Sequence, residues 1–415
     1  GKVYLSKSQL TMRLTIFVFA AALSTAAAFT APVSFASHKA SITRNFSSSS
    51  GGSTTNDASA KLRDDVKNLK RVLAREYATF FNPMETKYYA KEVSFTDPMT
   101  SLSGVQSYQD NVDMLASRTT MGKFLFSDAG IVLHNVKGGE IQEDGSIGEI
   151  VTRWTLRLTA KVIPWKPTAR FSGISVYKVD ADPSSSTGVS IKHQTDYWDS
   201  INIAPNSGGD YQTVDKGTAV KDFLNQLSPG GFVAQTAAPE LPYQLLRRGD
   251  GYEVRRYPGY SGIKLPYSRR DEGFGSLGAF TKGMSPLSPA LMDVLTDDIS
   301  DKYMMWPLAF APPGETEIPI PKDAVEKAGE GQWRTMRVVT NPPTVVAVRE
   351  FSDASMEPVV RKADRELREL LKRDGLKPAE GSEDLVRFAQ YDAIFSMGKR
   401  RGETWIDLAD DHPFD

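Results

Sequence analysis

Residues 151–162 read Val-Thr-Arg-Trp-Thr-Leu-Arg-Leu-Thr-Ala-Lys-Val, bulky apolar side chains alternating with Arg, Thr and Lys. A period of two fits a strand with one buried and one wet face, and an amphipathic helix cannot hold it. The alternation turns Trp154, Leu156, Leu158 and Val162 inward. Upstream the period differs. Within residues 60–81, Leu62, Val66, Leu69, Val72, Leu73 and Tyr77 share one helical face, and a second helical stretch covers 104–115. A strand at 88–95, ended by Asp97-Pro98, lies between them, and strands at 169–179 and 189–198 follow the alternating run. Helices first, then a curved antiparallel sheet, is an α+β arrangement.

At 415 residues the chain exceeds one ordinary core, and a prior of roughly 100–200 residues per domain divides it in two, plus extensions. Residues 203–238 are rich in Gly, Pro, Asn, Ser and Thr around a short apolar helix at 219–227, the composition of a connecting segment. The expected layout is a presequence over 1–56, a first domain over 57–203, a linker over 204–238 and a second domain over 239–415. Lys and Arg number 50 against 51 Asp and Glu, which removes the positive field that nucleic acid would need. Cysteine is absent, and the histidines are His38, His134, His193 and His412. Disulfides, thiolate catalysis and a Cys/His zinc site are excluded, and no metal site is expected.

The first acidic residue is Asp57, whereas Lys2, Lys7, Arg13, Lys39 and Arg44 precede it. Met12-Arg13 followed by the apolar run 14–29 reads as a signal peptide with Ala26-Ala27-Ala28 before its cleavage point, too short for a confident membrane span. Residues 1–11 read as translated upstream sequence. The Ser-rich, acid-free stretch 33–55 has the composition of a plastid transit peptide. Signal before transit resembles the bipartite presequence of diatoms and related algae, so the expected location is the plastid. Ordinary secretion with a Ser-rich tail is the plainer alternative. With its five basic residues gone, 45 Lys and Arg remain against 51 acids, a mildly acidic chain expected to have no membrane span.

In the second half, Gly251-Tyr252-Glu253-Val254-Arg255-Arg256-Tyr257-Pro258-Gly259-Tyr260 reads as a strand. Next come Gly273-Phe274-Gly275-Ser276-Leu277-Gly278-Ala279-Phe280, a strand at 304–310, the proline-rich 318–323, a strand at 344–352, an amphipathic helix at 357–373 and closing strands near 388–392 and 400–406. This ordered set resembles the SOUL family of heme-binding proteins, which implies a distorted β-barrel flanked by two helices. Val254-Arg255-Arg256-Tyr257 and Val348-Arg349-Glu350-Phe351 echo each other, as a pseudo-duplicated barrel would. In the first half, Ser94-Phe95-Thr96-Asp97-Pro98 with Gly104, Tyr108 and long strands afterwards is similar to the nuclear transport factor 2-like family, which implies a cone-shaped bent sheet around helices with a pocket.

The SOUL resemblance implies a non-covalently bound heme or other tetrapyrrole, a flat apolar disc with propionates at one edge. Such a ligand needs aromatic or methionine walls and rim cations. The family's contact region falls on Phe274, Leu277, Phe280, Met284, Leu287, Leu291 and Met292, with Arg255 and Arg256 as propionate partners; barrel core and a solvated strand face explain the same residues. Where the family often carries Met-Thr-x-Pro-Val, this chain has Met284-Ser285-Pro286-Leu287-Ser288, which leaves cleft shape and ligand identity open. His412, in an expected frayed tail, is a poor iron ligand. The glycine pattern at 273–278 also fits a dinucleotide fingerprint, but Arg269-Arg270-Asp271-Glu272 before it reads as a solvated turn rather than the parallel strand that motif requires.

In the first domain, strict alternation along residues 189–197 sets His193 inward with Val189, Ile191, Thr195 and Tyr197. Asp97, His193 and Tyr177 are weak candidates for an isomerase- or dehydratase-type pocket; a hydrogen-bonded core histidine beside an Asp-Pro turn is the plainer reading. A pair of interaction modules is a third. The expectation is a plastid tetrapyrrole-binding carrier, buffer or sensor, not an enzyme.

Overall fold

The computed structural model describes residues 54–198, 211, 215–228, 239–249, 251–295, 302–352, 357–391 and 401–414. Nearly all of the expected presequence falls outside the described residues, as does most of the expected linker. The chain forms two compact units. Among the described residues, no helix is long and apolar enough to cross a membrane.

The N-terminal unit opens with α1 (Thr54–Ala78), whose Val66, Leu69, Val72, Leu73 and Tyr77 are all buried. That spacing is the 3.6-residue stripe expected of a helix docked by one face. Then come β1 (Tyr89–Thr96), β2 (Ser101–Ser103), α2 (Val105–Leu115), α3 (Thr120–Leu125), β3 (Phe126–Gly138), β4 (Ile150–Ala160), β5 (Thr168–Asp182) and β6 (Gly188–Trp198). Their sheet runs β2-β1-β6-β5-β4-β3, antiparallel except where β1 lies parallel to β6. The expected α+β cone of helices against a bent sheet is present, with that parallel pair as a departure from a purely antiparallel sheet. Thr119 caps α3, its hydroxyl accepting from Gly122 N at 3.0 Å. Helix α4 (Lys216–Gln226) lies within the expected linker, yet its Phe223, with the following Leu227, is buried in this unit's core. Arg170 N donates to Gln226 Oε1 at 2.8 Å, and Trp165 Nε1 to Leu227 O at 3.0 Å.

The C-terminal unit comprises β7 (Gln244–Arg248), β8 (Glu253–Tyr257), β9 (Tyr260–Pro266), α5 (Arg270–Phe280), β10 (Ala290–Leu295), β11 (Lys302–Phe310), α6 (Lys322–Lys327), β12 (Arg337–Asn341), β13 (Thr344–Ser352), α7 (Glu357–Arg373), β14 (Leu385–Gln390) and β15 (Arg401–Asp407). All strand pairs are antiparallel, in the order β12-β9-β11-β10-β14-β15-β13-β8-β7. One face of this sheet buries Ile263, Leu265, Met292 and Met304 with Leu277 and Phe280 of α5, and Val254, Ala347 and Ile406 with Leu367 and Leu371 of α7. The opposite face buries Tyr257, Tyr260, Leu291, Met305, Val346, Ala389 and Trp405 together. Burying that face with no helix over it requires the sheet to curl on itself, which is the sense in which the expected distorted barrel is realised. Hydrogen bonding does not join β12 to β7 among the described residues, so no closed barrel forms.

Candidate functional site

Helix α5 begins with Asp271 and Glu272 in its first turn, where carboxylates favour the positive end of the helix dipole. It closes with Thr281, whose hydroxyl donates to Leu277 O at 2.8 Å. Gly273, Leu277 and Phe280 form its buried stripe. At Gly273 a Cβ would meet Met304 Cε at 3.1 Å, so the glycine lets α5 sit close on β11. Gly273 therefore serves helix packing, Gly275 and Gly278 face open space, and the antiparallel sheet of the described residues provides no dinucleotide-binding βαβ unit.

Tyr267, Phe274, Met284, Trp306 and Trp333 rim this core, half-buried against it. Phe274 meets Trp306 edge-on with centroids 5.9 Å apart, and Phe280 meets Trp333 edge-on at 5.5 Å. Among the described residues, the indole Nε1 of Trp306 is buried without a hydrogen-bond partner. Leaving such a donor unpaired costs about 1–3 kcal/mol, a cost that an acceptor on a bound ligand would remove. Aromatic faces, a thioether and one unpartnered donor suit a tetrapyrrole. Arg270 lies close enough to Tyr267 to act on its phenol, which burial pushes up to about 12. No group of three metal-ligating side chains occurs among the described residues.

The expected contact residues separate into two classes. Leu277, Phe280, Leu291 and Met292 are core, each at most 1 % exposed. Phe274 and Met284 stand at the rim of that core, while Leu287 packs against the inner-face cluster.

The two arginines do not stand at a rim. Arg255 is 1 % exposed, and its Nη1 donates to both carboxylate oxygens of the fully buried Glu403 at 3.0 Å. Its Nε donates to Glu253 at 2.8 Å, and its guanidinium stacks 4.3 Å from the Tyr243 ring centroid. Alternation along β8 turns Arg255 and Tyr257 inward, so the charge is consumed inside the sheet. Arg256 donates to Gln244 Oε1 and to Phe414 O, both at 3.2 Å. The expected frayed tail is instead docked: Phe414 is fully buried beside α7, and its N–H donates to His412 Nδ1 at 3.4 Å. His412 thus belongs to the α7 side of the unit and Phe274 to the α5 side.

In the N-terminal unit the expected trio is not assembled. His193 lies opposite the interior: its Nδ1 contacts Ser94 Oγ and its Nε2 contacts Thr195 Oγ1 at 2.8 Å. Burial and neighbouring Lys178 hold its pKa below the usual histidine value. The cause is a bulge. Lys178 pairs with His193 but Val179 with Ile191, so Lys192 is an extra residue that reverses the facing of everything after it. Gln194 and Asp196 therefore turn inward. Tyr177 is fully buried, 3.0 Å from Tyr77 OH. Asp97 ends β1 and accepts from the amides of Met99 and Thr100; burial lifts its carboxyl to about 6.

Inside this unit, Tyr77 OH contacts Thr152 Oγ1 at 2.9 Å and Ser175 Oγ at 3.0 Å. Ser175 Oγ accepts from Trp154 Nε1 at 2.8 Å and Gln194 Nε2 at 3.3 Å. Tyr108 OH donates to Gln194 Oε1 at 2.6 Å, which orients the amide so that Nε2 donates to Asp196 Oδ1 at 2.8 Å. A strictly alternating β6 hides Gln194 and Asp196 from sequence reasoning. Trp306 sits in the strand expected at 304–310, a stretch whose near-continuous apolar run does not indicate which residues face the core.

Residues 67–185 match the family model described as "Uncharacterized conserved protein (DUF2358)", and residues 238–407 match "SOUL heme-binding protein". No curated protein matches the chain. Solved structures similar to it include a nuclear transport factor 2-like superfamily protein from Salmonella enterica subsp. enterica serovar Typhimurium str. LT2, 16% identical, covering 38% of this chain and 99% of that one with a TM-score of 0.26. The S. rosetta CaMKII hub is 12% identical over 36% of this chain and 99% of its own, TM-score 0.23. A putative scytalone dehydratase from Novosphingobium aromaticivorans DSM 12444 is 9% identical over 34% and 87%, TM-score 0.24. Two family models thus match this chain in tandem, DUF2358 over residues 67–185 and SOUL heme-binding protein over residues 238–407.

Proposed function

We propose that the protein is a plastid tetrapyrrole carrier, buffer or sensor whose ligand lies against the α5 rim, on Phe274, Met284, Trp306 and Trp333. The unpartnered indole N–H of Trp306 within that apolar wall is the observation that carries this reading. Arg270, at the start of α5, replaces Arg255 and Arg256 as the cation for a propionate. Attachment is non-covalent, since the chain has no cysteine for a thioether link. The acid-free, Ser-rich residues 33–55 behind an apolar run support plastid import.

Titrating the full chain with hemin and with protoporphyrin IX tests the reading. A Soret shift saturating at one ligand per chain is expected, and Phe274→Ala and Trp306→Leu should each weaken binding about tenfold, the loss of one good aromatic contact. No shift with either ligand, or a shift that both variants leave untouched, overturns the assignment. For location, a fluorescent protein fused behind residues 1–56 should enter the plastid of an alga with a multi-membrane plastid; retention in the secretory pathway refutes it.

A further inference from the structure

A tight turn after α5 fixes one thioether at the rim. Thr281 N donates to Leu277 O at 2.9 Å and Met284 N to Thr281 O at 2.8 Å. Gly283 between them takes φ +90°, a left-handed conformation that glycine adopts without strain. The turn returns the chain to the core at Met284, whose side chain packs against it half-buried, with part of its surface in water. The other methionines described in the C-terminal unit are shielded: Met292 and Met304 are 0 % exposed, Met336 2 % and Met305 7 %. Asn341 Nδ2 also donates to Met305 Sδ at 3.6 Å, which engages that sulfur. Among these five, water therefore reaches Met284 preferentially. No thiol competes with it as a target of oxidation, since the chain has no cysteine.

We propose that Met284 is a photo-oxidation site whose conversion to the sulfoxide releases photosensitising tetrapyrroles, an inference that rests on the ligand lying against the α5 rim. Singlet oxygen, formed when dioxygen takes up the excitation energy of a closed-shell tetrapyrrole, adds to Met284 Sδ as a persulfoxide. Water then attacks this adduct. Thioether, dioxygen and water give sulfoxide and hydrogen peroxide, the sulfur losing the two electrons that the dioxygen gains. Burial protects the other four methionines twice, because it slows access and because a persulfoxide without water gives its oxygen back. Heme does not drive the reaction, since open-shell iron quenches the excited ring before oxygen meets it. The sulfoxide replaces a flexible apolar wall with a polar one. Covering that dipole with an apolar ring then costs desolvation. Heme is retained in light, and a sensitiser is expelled.

The test loads the full chain with protoporphyrin IX in the dark, illuminates it in air with azide present to quench oxygen that escapes, and maps oxidation by peptide mass spectrometry. One added oxygen is expected at Met284 before any at Met292, Met304, Met305 or Met336. Met121, 54 % exposed in the N-terminal unit, reports freely diffusing oxidant and should be protected by azide, whereas Met284 should not. The illuminated chain should bind fresh protoporphyrin about tenfold more weakly, the effect of one uncompensated polar group in the wall. Methionine sulfoxide reductases, which leave oxidised indoles untouched, should restore that affinity. In Met284→Leu the ratio of dark to illuminated affinity should stay near one, whatever its dark value, and the reductase arm reads the site where that variant misfolds. A hemin-loaded chain should show neither change. Failure of protoporphyrin to bind in the dark removes the rim assignment and the switch with it. Dark binding with no oxygen added at Met284, equal oxidation of the shielded methionines, equal oxidation under hemin, or an affinity loss that persists after the reductases or in Met284→Leu overturns the switch alone.

Discussion

Tyr77, Ser175 and Gln194 in the N-terminal unit bury their polar atoms as a neutral hydroxyl and amide network, whereas Arg255, Arg401 and Glu403 in the C-terminal unit bury charge. Glu403 accepts from Arg255, from Arg401 Nη2 at 3.1 Å, from Tyr391 OH at 2.8 Å and from Trp405 Nε1 at 2.9 Å. These cations hold its carboxyl below the ordinary range despite full burial. In the N-terminal unit the reverse occurs: Glu76 accepts from Tyr89 OH at 2.7 Å and from Glu85 N at 2.5 Å, and burial raises it to about 7. One interior holds a buried carboxyl below its ordinary range, and the other lifts one above it. The difference should appear as opposite responses to charge removal and to pH.

The largest effect is expected from Glu403→Leu, which takes the shared buried carboxylate from two cations and leaves Arg255 with Glu253 and Arg401 with Glu240. Breaking one partner out of a buried ion network costs about 3–5 kcal/mol, read as a lower urea midpoint for the transition reported by C-terminal peptides in hydrogen exchange. Adding Arg255→Met should recover part of that loss, because paired removal leaves fewer uncompensated charges. A Glu403→Leu chain of unchanged stability breaks the comparison.

Next comes pH. Glu76 binds its proton more tightly folded than unfolded, so its contribution is complete below the ordinary value of 4.5 and is lost as pH rises to about 7. The span of this shift corresponds to about 3 kcal/mol at roughly 1.4 kcal/mol per unit. Asp97 and Asp196 share the sign. Glu403 and Asp374 have the opposite sign, their contributions present above the unfolded values and lost as pH falls through the folded ones. N-terminal peptides should therefore exchange faster at pH 7.5 than at pH 5, once corrected for intrinsic rates, and Glu76→Gln should flatten that slope. C-terminal peptides should lose protection in acid. Equal slopes in both units would remove the distinction.

Local pattern reveals the frame but not these interiors. Helix α7 at Glu357–Arg373 has the bounds that its apolar period predicts, because that period reflects one buried face, whereas strand β13 at Thr344–Ser352 buries both faces and has the bounds that the SOUL resemblance implies. Strand β3 has mostly half-buried side chains and so no alternation to read. The inward turn of Gln194 and Asp196 hangs on one bulged residue, Lys192. Arg255 and Glu403 are 148 positions apart, a distance across which one sequence carries no pairing signal. Trp306 was legible as an aromatic in a strand; that its N–H lacks an acceptor is a property of packing alone.

Redundancy gives the smallest and sharpest test. Tyr77 OH has three oxygen neighbours, Thr152, Ser175 and Tyr177, within 3.0 Å. One hydroxyl proton and two lone pairs saturate in such a cluster, so removing one neighbour leaves others to re-pair by rotating O–H bonds. Thr152→Val keeps volume and deletes one oxygen. Its cost should stay below about 1 kcal/mol, the net worth of one neutral hydrogen bond, as a small fall in urea midpoint with the slope unchanged. The ionic interior has no such freedom, because a guanidinium cannot turn donor into acceptor. A Thr152→Val loss as large as that of Glu403→Leu would show the hydroxyl network to be as rigid as the ion network, and the comparison between the units would fail at its root.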